Sequence, residues 1–350
     1  MNQIEPLVRP AIRMLKPYRS ARQDALTGTL LDANENSFGS VVAADGIPLH
    51  RYPDPLQREL RSALGELNGV SPDSVAAGVG SDELIDLLLR IFCEPGRDEI
   101  LILEPTYGMY RVCAEIQGVT VRSCPLDDTF HIDPEEVARH RGDRTKILFC
   151  CSPNNPTGNL LRVGDILSLC RSTPGLVVVD EAYIDFSPEG TCAGLLPAAP
   201  NLVILRTLSK AWGLAGIRLG YCLAHPLVVA YLLKIKPPYN INALTAAYAL
   251  QGLLHREQMR GTVARIVRER NRLVNGLTSL PFVERIYPSD ANFILVRFSS
   301  ARSIYERLAQ RGIIVRDRSA EPRLDRCLRI TVGTPEQNTL LLHELASLDR

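Results

Sequence analysis

Short apolar runs alternate with stretches of helical period through the middle of the chain. The runs at 75–79, 100–103, 119–121, 147–151, 176–179, 202–205 and 217–223 are nearly continuous in apolar residues, which predicts strands buried on both faces. Between them, 82–92, 107–117 and 163–171 repeat apolar positions with helical spacing and predict amphipathic helices. This alternation implies an α/β fold with a mostly parallel central sheet and helices on both faces. Past Pro237 the pattern changes. Helices are expected at 243–254 and 258–277, a strand at 292–298, a helix near 303–310, and strands at 313–316 and 327–332. A last helix follows Thr334-Pro335, where a threonine cap precedes proline at the first helical position. The expected organisation is an arm (1–33) packing against a smaller α+β domain (241–350), with a large domain at 34–240.

Composition narrows the function. With 350 residues, 45% of them hydrophobic, the chain can build a large core in one or two domains. A formal net charge of +1 argues against nucleic acid or anionic membrane as the main partner. No apolar run approaches the roughly 20 residues of a membrane helix. The opening Met1-Asn-Gln-Ile-Glu-Pro6 has no signal-peptide character, so a cytoplasmic setting is expected. Nine scattered cysteines without a Cys-x-x-Cys pair read as reduced thiols. Six histidines without a His-Glu-x-x-His pattern give no reason to expect a metal.

The chemistry concentrates at the ends of the strand-like runs. Leu208-Ser209-Lys210 follows one of them and leads into Gly213-Leu-Ala-Gly216-Ile-Arg218-Leu-Gly220. Asp180 ends another, and Asn155 lies just past a third, in Ser152-Pro-Asn-Asn-Pro-Thr-Gly158. Taken singly these are a surface lysine, a turn aspartate and a turn asparagine. Their order and spacing together make that plain reading improbable. An amine, a carboxylate, an amide, the phenol of Tyr183 and the cation of Arg218 fit pyridoxal phosphate: an amine for its aldehyde, an anion for its ring nitrogen, donors for its ring oxygen and phosphate. Gly78-Val-Gly80-Ser81-Asp82-Glu83 offers a helix start to a phosphate, although Ser81 can also be an ordinary cap. A dinucleotide site is the competing reading of that motif. Glu104 stands where its ribose-binding acid would fall, but Glu83 occupies the position of its third glycine. Tyr107 reads as a core residue or as a ring stacked on a planar cofactor. Arg316 and Arg329 alternate with apolar neighbours on successive strand-like runs, and on one sheet face they would form an anion site.

These blocks, with Leu15-Lys-Pro-Tyr18, Asp32-Ala-Asn-Glu-Asn36, Arg51-Tyr52-Pro53, Thr207-Leu-Ser-Lys210 and Leu328-Arg-Ile-Thr-Val-Gly333, resemble the fold-type I pyridoxal-phosphate aminotransferases over nearly the whole length. Within them the chain is similar to the histidinol-phosphate aminotransferases of histidine biosynthesis. The resemblance implies that Lys210 forms the aldimine and shuttles a proton, Asp180 pairs with the ring nitrogen, and Asn155 and Tyr183 bond the ring hydroxyl. It implies that Tyr107 covers the ring, and that Gly80, Ser81, Asp82, Thr207, Ser209 and Arg218 surround the phosphate. Tyr52 would reach the neighbouring subunit's cofactor in a homodimer. Tyr18, Asn34, Arg316 and Arg329 would receive substrate, with histidinol phosphate and 2-oxoglutarate converted to imidazole acetol phosphate and glutamate. Ser37 stands where relatives commonly have proline, and Trp212 where phenylalanine is usual. An aromatic aminotransferase and a threonine-phosphate decarboxylase share the same motifs. A nicotinamide dehydrogenase leaves the Ser-Lys block unexplained, and a non-catalytic cofactor-binding regulator lacks its basic extension.

Overall fold

The computed structural model describes residues 3–24, 26–44 and 46–347. Seven strands form the larger sheet: β1 (Val75–Val79), β2 (Glu99–Glu104), β3 (Thr120–Pro125), β4 (Thr145–Cys151), β5 (Leu176–Asp180), β6 (Leu202–Thr207) and β7 (Leu219–Ala224), in the order β1-β7-β6-β5-β4-β2-β3. All neighbours run parallel except β7, which is antiparallel to both β1 and β6.

The apolar runs become strands because consecutive residues feed two separate cores. Leu148, Cys150, Val177, Val179, Leu202 and Ile204 face one. Ile147, Phe149, Cys151, Val178, Val203 and Leu205 face the other, under the helices Gly80–Phe92 and Met109–Ile116. The smaller sheet comprises β8 (Val283–Ile286), β9 (Phe293–Phe298), β10 (Arg316–Asp317) and β11 (Cys327–Thr331). Its order is β10-β11-β9-β8, antiparallel throughout. Its far face packs a third core with the helices Arg256–Thr278, Ala301–Gln310 and Pro335–Ser347.

Several expected boundaries move. The strand expected at 313–316 shrinks to Arg316–Asp317. Gly312 turns left-handed at φ +77° and the Ile313 N–H donates back to Leu308, so 312–313 cap the preceding helix rather than extend a strand. Ile217 lies in a 3₁₀ turn before β7, and Tyr107 precedes its helix instead of beginning it. The helices Arg58–Asn68, Pro134–His140 and Pro226–Ile235, and the strand β8, were not anticipated. All nine cysteines are buried and unpaired. Among the described residues no helix is long and apolar enough to cross a membrane.

Candidate functional site

The parallel strands bring their carboxyl ends to one rim, and the turns leaving that rim carry the expected chemistry. Every expected cofactor-binding residue except Tyr52 lines a single cleft there, from Gly80 to Arg218, and Cys151 and Ala182 complete its wall.

Close backbone approach builds one end of the cleft. Gly80 has φ +72° at the start of the helix Gly80–Phe92, and its N–H donates to the Arg218 carbonyl at 2.8 Å. A Cβ on Gly220 would lie 2.2 Å from the Ser81 nitrogen, so only glycine lets β7 pass this turn. Arg218, itself left-handed at φ +55°, lays its guanidinium over Gly80 and approaches Asp82 at 3.8 Å. Thr207 Oγ1 accepts from the Ser209 N–H at 3.1 Å, shaping the turn that presents Lys210. Glu83, expected to obstruct a dinucleotide turn, instead accepts from the Val79 N–H at 2.6 Å and from Asn240 at 2.8 Å. The result is a helix start, a hydroxyl pair and a guanidinium around one small volume, which suits a phosphate.

The other end holds the planar groups. Asp180, 3% exposed, ends β5. It accepts from Tyr110 at 2.8 Å and from the Ala182 N–H at 3.1 Å. Burial pushes its carboxyl up to about 6, against the pull of these donors. Asn155 donates to the Tyr183 hydroxyl at 3.5 Å and accepts from Arg329. Tyr107 donates to Asp82 at 3.1 Å and meets Tyr110 edge-on. The Lys210 amine lies 5.4 Å from the Tyr183 ring centroid. Burial, and then the nearby Arg329 charge, lower its pKa, while Asp180 opposes them. Burial likewise raises the Tyr183 phenol.

The remaining expected residues lie apart from the cleft in this chain. Tyr52 is half exposed and stacks on Tyr239 at 4.4 Å. Tyr18 on the arm and Asn34 just past it are exposed, Asn34 with φ +54°. Arg316 is exposed but sits directly across from Arg329 in the β10–β11 pair. Sequence reasoning missed Tyr110, whose spacing of three from Tyr107 was the available signal. It also missed Glu35. That carboxylate is almost fully buried and accepts from the Tyr52 N–H at 2.7 Å and from Arg51 at 2.7 Å, and it pairs with the buried Arg22. Burial works against its ionisation, but these donors prevail and hold it at about 2. Glu181, the neighbour of Asp180, is buried against Arg206 at 2.8 Å and so ties the end of β5 to that of β6.

Residues 20–345 match the family described as aminotransferase class I and II. A histidinol-phosphate aminotransferase of Parabacteroides distasonis is 46% identical over 350 residues, covering 99% of each chain. Among solved structures, the histidinol-phosphate aminotransferase of Sinorhizobium meliloti in complex with pyridoxal-5'-phosphate is 26% identical with a TM-score of 0.78, over 90% of each chain. That of Clostridium acetobutylicum has a TM-score of 0.79 at 26% identity, over 86% of this chain and 91% of the other.

Proposed function

We propose a specific reaction for this chain, which belongs to the class I and II aminotransferase family and, within it, to the histidinol-phosphate aminotransferases. The chain is a pyridoxal-phosphate-dependent transaminase, and the reaction assigned to it moves the amino group of histidinol phosphate to 2-oxoglutarate. The products are imidazole acetol phosphate and glutamate, a step of histidine biosynthesis. The observation that carries this reading past the class is Arg329. It is part-buried, reaches Asn155 at the edge of the cleft, and has Arg316 directly across the strand pair. A cationic end of this kind suits a phosphate monoester in one half-reaction and a carboxylate in the other.

The residues present fit the cofactor. Asp180 is a buried carboxylate that lines the cleft, and Gly220, where a Cβ would strike the Gly80–Ser81 backbone, lets the helix start sit at the other end of it. When bound, the cofactor supplies an electrophilic carbon and a ring that withdraws electrons. Ser81 and Asp82, through the N–H groups of the helix start, would hold its phosphate with Ser209 and Arg218, while Asn155 and Tyr183 would hold its ring oxygen and Tyr107 would cover one face. Asp180 would pair with the ring nitrogen and favour the protonated form. Lys210, its pKa lowered, carries a neutral amine more readily than an exposed lysine and so takes a proton from the substrate carbon at Nζ. Arg329 and Asn155 orient the substrate's anionic end.

The division into arm, large domain and small domain belongs to the same proposal, with Arg329 of the small domain meeting Asn155 of the large one. So do a cytoplasmic setting and a homodimer in which Tyr52 serves the cofactor of the neighbouring subunit. Two features support the dimer. Tyr52 is not among the residues lining the cleft of its own chain. The N-terminal segment before it exposes Met14, Leu15, Leu31, Phe38, Val41 and Val42, an apolar surface suited to a second copy. The experiment is a comparison of kcat/KM for histidinol phosphate, phenylalanine and tyrosine with 2-oxoglutarate, alongside carbon dioxide release from threonine phosphate. The expected result is a clear preference for histidinol phosphate. Equal use of histidinol lacking its phosphate, or carbon dioxide release as the main activity, would contradict the reading.

A further inference from the structure

The register of the smaller sheet sets three guanidinium groups in a row. Arg316 pairs directly with Arg329, and the Arg318 N–H donates to the Cys327 carbonyl at 2.9 Å, which extends the ladder past β10. Residues opposite one another in an antiparallel pair, and residues two apart along a strand, share a face. Cys327 on that face enters the core of the larger sheet, whereas its neighbours Leu328 and Ile330 enter the core behind the smaller one. Arg329 on the same face reaches Asn155. Arg318 therefore stands on the cleft side with Arg316 and Arg329.

Arg318 differs from the other two in having an acidic partner. Its Nη1 donates to Glu321 at 2.6 Å, and the turn between them is closed by the Glu321 N–H on the Arg318 carbonyl at 3.0 Å. The pair is only half satisfied, because Arg318 Nε and Glu321 Oε2 are both buried without a hydrogen-bond partner. Leaving buried polar atoms unpaired costs stability. The charge of Arg318 also reaches the cleft. After burial it is the largest influence lowering the Arg329 pKa, and with Arg329 it opposes the rise at the Tyr183 phenol.

We propose that Arg318 is a specificity-determining residue for the phosphate monoester, and that Glu321 is the counter-anion it releases when phosphate arrives. The inference rests on the histidinol-phosphate reading above and names the residue that lets one cleft take two unlike anions. A carboxylate has one charge and two oxygens, and a single guanidinium fork at Arg329 saturates it. A phosphate monoester carries about 1.5 to 2 negative charges and three terminal oxygens. It has capacity left to draw Arg318 out of its half-satisfied pair. With a carboxylate bound, the Arg318–Glu321 pair stays closed and Arg318 is not left unmatched. Glu321 also repels any incoming anion, so it sets how much charge the ligand must bring.

The test is calorimetric binding of two unreactive probes, propyl phosphate and glutarate, to the cofactor-loaded protein. Arg318→Gln is expected to weaken propyl phosphate roughly ten-fold or more and to leave glutarate within about two-fold. Arg318→Lys, which keeps the charge but loses the fork, should fall between the two. Glu321→Gln should tighten propyl phosphate, a gain that a damaged fold does not produce. The inference is overturned if Arg318→Gln weakens both probes equally or neither, or if Glu321→Gln weakens propyl phosphate. If wild type turns over histidinol phosphate while the variants bind both probes as it does, this inference fails and the reaction stands. If wild type neither binds propyl phosphate nor uses histidinol phosphate, both fall.

Discussion

Replacing Asp180 with asparagine separates what the carboxylate costs the fold from what it gives the cofactor. Burial raises its pKa from 3.8 to about 6. That is about two pH units, and at 1.36 kcal/mol per unit it amounts to roughly 3 kcal/mol. The sign follows from which state binds the proton more tightly. Above about pH 6 the folded and unfolded chains both carry the charge, and the folded chain bears the full desolvation. As pH falls from about 6 toward 3.8, the folded chain takes up the proton first and the penalty fades. The cofactor-free Asp180→Asn variant lacks this penalty and can keep the hydrogen bond from the Ala182 N–H. It should therefore be more stable than cofactor-free wild type at pH 8, by up to about 3 kcal/mol, with the advantage shrinking by pH 5. Adding pyridoxal phosphate should reverse the order, because a cationic ring nitrogen compensates a carboxylate and not an amide. Turnover by the variant should fall at least about 100-fold. Urea unfolding at pH 5 and pH 8, with and without cofactor, measures all of the stability differences. The reasoning is refuted if the two proteins show the same pH dependence, or if the variant gains as much stability from the cofactor as wild type.

Three further outcomes are expected. Gly220→Ala places a Cβ 2.2 Å from the Ser81 backbone nitrogen. That overpacking should cost about 1–3 kcal/mol and lower cofactor affinity, whereas Gly216→Ala, with nothing near its Cβ, should bind cofactor normally; equilibrium dialysis compares them. Glu35→Gln should destabilise the protein at neutral pH. The stability Glu35 contributes is complete above its ordinary value of 4.5 and is lost as pH falls through about 2, so the deficit in thermal melting should narrow in strong acid. Mixing Tyr52→Ala chains with Lys210→Ala chains should recover activity that neither homodimer has, because one site of each heterodimer then carries neither lesion; mixtures that demonstrably exchange subunits without recovery would place Tyr52 at the cleft of its own chain.

The larger sheet was readable because a strand buried on both faces leaves a nearly unbroken apolar run, and every central strand did so. The cleft was readable because Asn155, Asp180 and Lys210 each follow such a run, and strand ends in a parallel sheet converge. What escaped lacked a local signal. β10 is two residues long, and the apolar run before it serves a helix cap and the third core. The bond from Tyr110 to Asp180 spans 70 residues and depends on how the helix Met109–Ile116 lies over β2 and β3. Arg318 carries no signal of its own in the sequence, since only the pairing of Arg316 with Arg329 reveals which face it shares. Glu35 lies just past the arm, in a stretch without period where no pattern marks a buried acid.

The proposed transamination depends first on Lys210 being the amine that bonds the cofactor in this cleft. Borohydride reduction of the cofactor-loaded protein, followed by proteolysis and mass spectrometry of the peptides, tests it directly. The pyridoxyl label is expected on Lys210 alone. Lys236 is the informative alternative, because burial lowers its pKa to about 8, yet its amine is tied to the Pro55 carbonyl at 2.7 Å. Label on Lys236, on Lys234 or on any lysine other than Lys210 would contradict it.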